Sequence, residues 1–236
     1  MIVAGELKRE RHHNTHTKES LIGTLNERYK PLTPWERLEL LFDSFPAREI
    51  LMTSSFGASS AILLHMLSKV KPGHPVYFVD TTHHFKETIA YRNQLVKHLG
   101  LNVIDVSAKP NRSRFTHENR TWQKNHDLCC FINKVQPVNE LRERHTLWIS
   151  GLMKHQNANR DKLNIFEKKR DIVKFHPILD MTKEEAELYV YLHDLPAHPL
   201  VNQGYDSIGC THCTAKGHGR TGRWANTAKV ECGLHL

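Results

Sequence analysis

Short apolar runs alternate with longer helical segments between residues 46 and 150, and this alternation constrains the fold more than any other feature. Four runs of β-branched and aromatic residues are predicted as strands, and the segments after them have helical periodicity. The predicted strands are 49–53, 76–80, 102–106 and 146–150, with helices at 61–67 and 85–99. Strands that alternate with helices require right-handed crossovers and parallel pairing. The sequence therefore predicts an α/β fold with an open, mostly parallel twisted sheet and helices on both faces.

The ends of the chain differ in character from this central region. Residues 1–30 are rich in basic and polar residues and are predicted to be an unstructured N-terminal arm. A helix is predicted from Pro34 to about residue 45, because Thr33 can cap it and Glu36 completes a capping box. We predict an α/β domain over 31–209 and a separate C-terminal segment over 210–236.

Charge and composition restrict the class of partner. The formal net charge is +8 and there are 18 histidines, which favours an anionic partner, either a nucleotide or a nucleic acid. A basic surface that only maintains solubility is the alternative. No run of 18 apolar residues occurs, and the first 20 residues lack the apolar core of a signal peptide. We expect a cytoplasmic protein without a membrane partner.

The five cysteines divide into two close pairs and one isolated residue in the tail. In a reducing compartment closely spaced cysteines are more often metal-binding or catalytic than disulfide-bonded. The pair Cys210 and Cys213 alone could be half of a zinc site, a redox dithiol or two buried thiols. Adjacent Cys129 and Cys130 can bind one centre only where the backbone bends, as at a helix end, and a four-iron cluster accepts neighbouring ligands more readily than a single zinc ion. Cys232 lies in a polar tail, where a mobile nucleophile is the better interpretation.

In open parallel sheets ligands bind beyond the carboxyl ends of the strands. The loops at 54–60, 80–84 and 151–160 follow three predicted strands. The first is a turn of small residues before a helix, which suits a phosphate or sulfate but equally suits close packing of strand and helix, and it lacks the Gly-Lys-Ser/Thr ending of a Walker loop. In the second loop, His83 and His84 are predicted to be surface residues.

Several separate motifs between residues 33 and 236 resemble one family. They are Ser54-Ser55-Phe56-Gly57, Val79-Asp80-Thr81, Ile132-Asn133-Lys134-Val135-Gln136-Pro137, Ser150-Gly151-Leu152, His198-Pro199-Leu200, Gly204-Tyr205-Asp206-Ser207-Ile208-Gly209 and Glu231-Cys232-Gly233-Leu234-His235. This pattern resembles the phosphonucleotide reductases of sulfate assimilation, which act on adenylyl sulfate (APS) or phosphoadenylyl sulfate (PAPS). The presence of all four paired cysteines resembles the APS reductases that carry a [4Fe–4S] cluster. The resemblance implies an adenine nucleotide alpha hydrolase-like, Rossmann-like fold with a mobile C-terminal tail.

The resemblance also implies a reaction and a set of site residues. A Cys232 thiolate would attack the sulfur of APS, and thioredoxin or glutaredoxin would release sulfite from the resulting S-sulfocysteine. The implied catalytic residues are Cys232, His235, Lys134, Arg220 and Arg223. The implied substrate-binding residues are Ser54, Ser55, Gly57, Ser59, Asp80, Thr81, Gly151 and Arg160. The implied cluster ligands are Cys129, Cys130, Cys210 and Cys213.

The chain departs from the family pattern in two places. It has Thr82 where relatives usually have glycine, and Met153 and Lys154 where they have two arginines. Lysine cannot replace the planar fork of arginine, so a PAPS reductase or a dual APS/PAPS reductase stays open. A tRNA-thiolating ATP pyrophosphatase is disfavoured because its Ser-Gly-Gly-x-Asp-Ser loop is missing, so nucleic acid is not an expected partner. A non-catalytic iron–sulfur sensor is disfavoured by Cys232 with its basic neighbours, and a homo-oligomer is expected.

Overall fold

The fold is known from a computed structural model that describes residues 15–225, 227, 229 and 231–234, with side chains from residue 21 onward. Its centre is a six-stranded sheet of order β3-β2-β1-β4-β6-β5. The strands are β1 (Ile50–Ser54), β2 (Pro75–Asp80), β3 (Asn102–Ser107), β4 (Leu147–Ile149), β5 (Phe166–Lys169) and β6 (Ile172–Phe175). All neighbours pair in parallel except β5, which runs antiparallel to β6. The predicted open, mostly parallel sheet is confirmed, and β5 and β6 add to the four strands that the sequence indicated.

Helices connect the strands and cover the sheet. They are α1 (Thr15–Tyr29), α2 (Pro34–Ser44), α3 (Ser60–Val70), α4 (Lys86–Leu99), α5 (Pro110–Glu118), α6 (Thr121–Lys124), α7 (His126–Cys130), α8 (Gln136–Arg142), α9 (Ala158–Asp161) and α10 (Lys183–Leu192). The predicted start of α2 is confirmed, since Thr33 Oγ1 accepts from the Glu36 amide and the Glu36 carboxylate accepts from the Thr33 amide at 2.8 Å. No helix within the described residues is long and apolar enough to cross a membrane.

Alternate residues of the central strands point to two separate cores. Ile50, Met52, Leu147 and Ile149 join the larger core beneath α1, α2, α3, α4 and α10. Leu51 and Trp148 point the other way and pack with Val138 of α8. Successive side chains of a strand point to opposite faces of the sheet. A sheet that is buried on both faces therefore needs apolar residues at successive positions of its strands. The helices therefore lie on both faces, as predicted.

The N-terminal arm is predicted wrongly for part of its length. Residues 15–29 form α1 rather than an unstructured segment, and Leu25 and Tyr29 are fully buried. Four residues apart, they share one helix face. The Tyr29 ring packs edge-on against Phe166 at 4.8 Å, and Asn26 exchanges two hydrogen bonds with the Phe166 backbone. Residues 1–14 lie outside the described part, and the predicted division near residue 210 stays a prediction.

Arg37 joins the start of the chain to the segment after β6. Its side chain is buried and donates to the carbonyl groups of Tyr29, Lys30 and Pro177, each at 3.0 Å. It also makes a two-pronged contact with Asp180, at 2.5 and 2.7 Å. A buried guanidinium with its donors satisfied fixes the geometry of the groups around it.

We predict that Arg37→Met lowers the free energy of unfolding by about 3 kcal/mol, because three carbonyl groups and one carboxylate lose their donor. Urea denaturation followed by circular dichroism measures this difference. Arg28→Met is the matched control, since Arg28 is exposed on α1 and its loss should change stability by less than about 0.5 kcal/mol. Equal stability of the two variants would contradict the structural role assigned to Arg37.

Candidate active site

The adjacent cysteines lie where the backbone changes its helical pitch. Cys129 and Cys130 are the last residues of α7, and a π-helical turn (Phe131–Val135) continues from them. Asn125 caps α7 by accepting from the Leu128 amide at 2.9 Å. Asn133 donates to the Cys129 carbonyl at 3.1 Å and lies 3.6 Å from its sulfur. The two cysteines therefore lie on a continuous helical backbone, where neighbouring side chains point about 100° apart and not to opposite sides as in a strand.

The second cysteine pair is held against the loop that follows β2. Cys210 forms an antiparallel bridge with His84, and the Thr211 amide donates to the His83 carbonyl at 2.8 Å. The Thr81 hydroxyl lies 3.2 Å from the Cys210 sulfur. The sequence analysis gave Thr81 a role in substrate binding, whereas its contact in the structure is with a cysteine.

All four paired cysteines line one small cavity. They are buried, and Thr81, Asn133 and Lys134 complete the wall beside them. Burial raises the pKa of Cys130 to about 12 and that of Cys213 to about 11, so without a bound metal both thiols are protonated at neutral pH. Within the described residues no group of three or more His, Cys, Asp or Glu side chains is arranged to hold a single metal ion. Four buried thiols around one cavity are a donor set that both iron–sulfur clusters and structural zinc sites use.

Aromatic rings cover the same cavity. Trp122 stacks on His212 with centroids 4.4 Å apart, and His83 lies 4.9 Å from Trp122 and 4.4 Å from His117. His83 is buried, and its Nε2 has no hydrogen-bond partner within the described residues. The side chain of His84 is also buried, at 7 % exposure. The prediction that His83 and His84 are surface residues is wrong, because the 210–213 segment folds over them.

The C-terminal tail returns to these cysteines. Cys232 is half-buried and packs against Cys210, Cys213 and Trp224. Its neighbour Glu231 is buried and accepts from Arg160 at 2.8 Å, from Arg220 at 3.2 Å and from Asn157 at 3.1 Å. Two arginines on one buried carboxylate fix the tail directly before its cysteine. Glu231 is absent from the predicted site residues, although its place beside Cys232 in the tail motif was a usable signal.

Positive charge surrounds Cys232. Burial lowers the pKa of Arg160, Lys174 and Arg223, and a Cys232 thiolate opposes that effect at each of them. Burial would also lower the pKa of Lys134, but the thiolates of Cys210, Cys232 and Cys130 outweigh it and raise the pKa overall. Arg160, Arg223 and Lys134 therefore supply positive charge near Cys232. Lys174, whose pKa is lowered to about 7, is only partly protonated at neutral pH. Lys174 was missed by the sequence analysis, although a lysine inside an otherwise apolar strand marks an unusual buried charge.

The site contains Arg223 only because Gly209 has no side chain. A Cβ atom at Gly209 would lie 2.3 Å from one Arg223 terminal nitrogen and 2.5 Å from its central carbon. Arg223 Nη1 donates to the Ile208 carbonyl at 3.3 Å, and its guanidinium lies 4.4 Å from the Trp224 ring centroid. The Gly209-containing motif thus permits a close approach between the guanidinium and the backbone.

The small-residue loop follows β1 as predicted. Ser54 is buried and its hydroxyl accepts from the Phe56 amide at 3.1 Å, while Ser55 is exposed. Ser59 precedes α3 without capping it through its side chain, so the first amide groups of an 11-residue helix face the loop. Gly57 lies against the Ile208 carbonyl, the same group that Arg223 contacts. The loop and the basic segment therefore come together.

Four further residues were predicted for the site: Gly151, Asp80, Arg160 and His235. Gly151 follows β4 and faces Leu63, whose Cδ2 atom would be 3.3 Å from an added Cβ. Asp80 is half-exposed and accepts from the Thr82 amide at 2.8 Å. Arg160 donates to the Glu231 carboxylate and to the Gln156 side-chain oxygen. Gln156 Nε2 in turn donates to Ser59 Oγ at 3.4 Å. His235 lies outside the described residues, so its predicted role stays a prediction.

The fold and the site together define an α/β protein with a small-residue loop before α3 and a cysteine-bearing tail near basic side chains. The family model described as phosphoadenosine phosphosulfate reductase domain matches residues 49–216. The chain is 39% identical over 219 residues to an adenosine 5'-phosphosulfate reductase of Chelativorans sp., covering 90% of this chain and 89% of that one. It is 37% identical over 196 residues to the Bacillus cereus protein of the same name, covering 79% and 84%. The chain therefore belongs to the APS/PAPS reductase family of oxidoreductases that act on a sulfur group.

Solved structures agree with this assignment. The chain is similar to a phosphoadenylyl-sulfate reductase from Candida auris in a phosphate complex, with a TM-score of 0.70 and 26% identity over 82% of this chain and 96% of that one. An FMN adenylyltransferase from Candida glabrata matches with a TM-score of 0.56 at 15% identity, over 82% of this chain and 66% of that one. The second likeness concerns the fold alone, which is the predicted nucleotide alpha hydrolase-like one.

We predict that Gly209→Ala lowers the melting temperature by about 3 °C, because the new methyl group overlaps the Arg223 guanidinium and displaces it from the Ile208 carbonyl and the Trp224 ring. Differential scanning fluorimetry on cluster-free protein measures the change. Gly23→Ala is the matched control, since nothing lies within 4 Å of a Cβ there and alanine favours the helix. A Gly209→Ala protein as stable as the Gly23→Ala protein would contradict the close approach.

Proposed function

We propose that this protein is an assimilatory APS reductase, which converts APS to sulfite and AMP with thioredoxin or glutaredoxin as the reductant. The observation that carries the proposal is the position of Cys232, which packs against the cluster of Cys210, Cys213 and Trp224. It directly follows Glu231, whose buried carboxylate binds Arg160 and Arg220. A thiol at such a place has the surroundings of a nucleophile that must meet an anion. A cytoplasmic, reducing compartment agrees with a dithiol-dependent reaction.

The first step is a sulfonyl transfer to the tail. The Cys232 thiolate attacks the sulfur of APS, a sulfur–sulfur bond forms, and the bond from sulfur to the AMP phosphate oxygen breaks. AMP leaves with the bonding electron pair, and Cys232 becomes an S-sulfocysteine. Thiolate and sulfate are both anionic, so Lys134, Arg220 and Arg223 would offset their repulsion and hold the sulfate. His235 would complete this group.

The second step releases sulfite. A thioredoxin thiolate attacks the Cys232 sulfur, and sulfite leaves with the electrons of the sulfur–sulfur bond. The second thioredoxin thiol then resolves the mixed disulfide and returns Cys232 as a thiolate. Sulfur changes from the sulfate to the sulfite oxidation level, and the thioredoxin dithiol supplies both electrons.

The nucleotide would bind at the carboxyl ends of β1, β2 and β4. Ser55, Gly57 and Ser59 lie in the loop directly before α3, and the positive end of the helix dipole there suits the phosphate of APS. Asp80 and Gly151 follow the two strands that flank β1, where the adenosine would lie. Arg160 links Ser59 to Glu231 through Gln156, so the loop and the tail are connected through hydrogen bonds.

The cysteine cavity would hold the cofactor. Cys129, Cys130, Cys210 and Cys213 would ligate a [4Fe–4S] cluster, which would supply electrostatic and structural support because thiols provide the electrons. Lys134 belongs to the cavity wall, and a Cys232 thiolate raises the pKa of its ammonium. Its charge would therefore act on both the cysteine cavity and the catalytic tail.

Sulfite release by anaerobically purified protein tests the proposal, with reduced thioredoxin and with APS or PAPS as substrate. Turnover confined to APS supports an APS reductase. Comparable turnover on PAPS supports the dual reductase, a candidate favoured by the likeness to the Candida auris PAPS reductase. No sulfite from either substrate refutes the proposal.

We predict that Cys232→Ser lowers turnover at least about 10³-fold, because a serine hydroxyl is not ionised at neutral pH and cannot form the S-sulfo intermediate. The variant should still bind nucleotide, which isothermal titration with AMP measures. A Cys232→Ser protein that retains turnover would exclude Cys232 as the nucleophile.

We predict that Cys213→Ser removes most of the iron and acid-labile sulfide, because one of four thiolate ligands is lost from a buried cavity. Iron and sulfide assays with visible absorbance on anaerobic protein measure this loss independently of activity. Cys232→Ser is the matched control and should keep wild-type iron, since Cys232 is not a predicted ligand. Equal iron in both variants would contradict the ligand assignment.

A further inference from the structure

Lys174 is a buried lysine on a central strand. It lies on β6, only 2 % exposed, between β4 and β5. Its register partner on β4 is Trp148, and its ammonium lies 4.5 Å from the centroid of the Trp148 ring. A lysine is almost never fully buried unless its charge has partners, so this position calls for an explanation from its contacts.

The contact of Lys174 is with the tail. Its Nζ donates to the backbone carbonyl of Leu234 at 2.6 Å. The Leu234 side chain packs against the core that contains Trp148 and Ile172. One lysine and one apolar core thus bind the same residue, two positions beyond Cys232. Because the acceptor is a backbone carbonyl, the contact depends on the path of the tail and not on the side chain at residue 234.

The tail is held on both sides of its cysteine. Before Cys232, the buried carboxylate of Glu231 binds Arg160 and Arg220. After it, Gly233 adopts a left-handed φ of 87°, which turns the chain toward Lys174. A cysteine between two fixed points cannot swing far, whereas a cysteine with one fixed point could move about that point.

We infer that Lys174 is a positioning residue, which anchors the carbonyl of Leu234 so that Cys232 is held at the substrate and among the cations described above. This inference deepens the proposed function and rests on it. The charges that face Lys174 are Arg142 on α8, Glu167 and Lys169 on β5, and Cys232 on the tail. Burial, and after it the nearby positive charge of Lys169, lowers the pKa of Lys174 to about 7. Both the ammonium and the neutral amine carry N–H groups, so either form can donate to a carbonyl.

The test is Lys174→Met, which keeps the length and the contact with Trp148 but removes the donor. We expect amide hydrogen exchange in the peptide that contains residues 231–234 to become about tenfold faster, as loss of one hydrogen bond from a charged group implies. We expect kcat to fall about tenfold and KM for APS to change less than about twofold, since Lys174 is not part of the loop at Ser54–Ser60.

Lys168→Met is the matched control, because Lys168 is exposed on β5 and has no assigned role in the site. It should leave exchange and kinetics at wild-type values. Tail exchange in Lys174→Met that equals that of Lys168→Met overturns the inference. If the wild-type protein forms no sulfite, the proposed function fails, but the exchange experiment still decides whether Lys174 holds the tail.

A second variant covers the case in which Lys174→Met does not fold. Leu234→Ala leaves β6 unchanged and removes only the side chain that packs beside Trp148. Exchange at residues 231–234 should stay within about twofold of the wild-type rate, because the Lys174 donor and the Leu234 carbonyl are both kept. An exchange rate about tenfold faster in Leu234→Ala shows that apolar packing, and not Lys174, holds the tail, and overturns the inference.

Discussion

The burial of Glu231 with two arginines determines the arrangement of the site. A carboxylate out of water is tolerated only with strong partners, and Arg160 and Arg220 each bind one of its two oxygens. Arg160 comes from the segment after β4, and Arg220 comes from the loop that follows the CxxC pair. One buried charge therefore joins three parts of the chain that are remote in sequence and brings Cys232 to the paired cysteines.

The parallel sheet provides the frame for this meeting. Because β1, β2 and β4 are neighbouring parallel strands, the loops that follow them lie together beyond the carboxyl ends of the strands. The small-residue loop, the Thr81 contact with Cys210 and the α9 region that carries Arg160 all lie beyond these ends. The antiparallel β5 is the edge strand next to β6, and α1 packs against it through the contact of Tyr29 with Phe166.

Local patterns predicted the parts of the structure that depend on local physics. The capping box of α2, the four strands with apolar runs and the division of the cysteines are properties of short segments. Three features depend on distant contacts and could not be read in this way. The helix over 15–29 is stabilised by Phe166 and Phe175, β5 is too charged to resemble a buried strand, and His83 is covered only because residues 210–213 fold back. Lys174 and Glu231 gave a signal, since each is a charge in a segment where the pattern expects none.

The spacing of the paired cysteines has a consequence for chain entropy. About 80 residues separate Cys130 from Cys210, and they include β4, β5, β6 and α10. A centre bound by all four thiols is therefore a cross-link that closes this long loop in the unfolded chain and so disfavours unfolding. Loss of such a centre would remove this cross-link as well as a group that would lie beside the substrate. If all four thiols bind one centre, the melting temperature should rise with the fraction of molecules in which the cavity is filled.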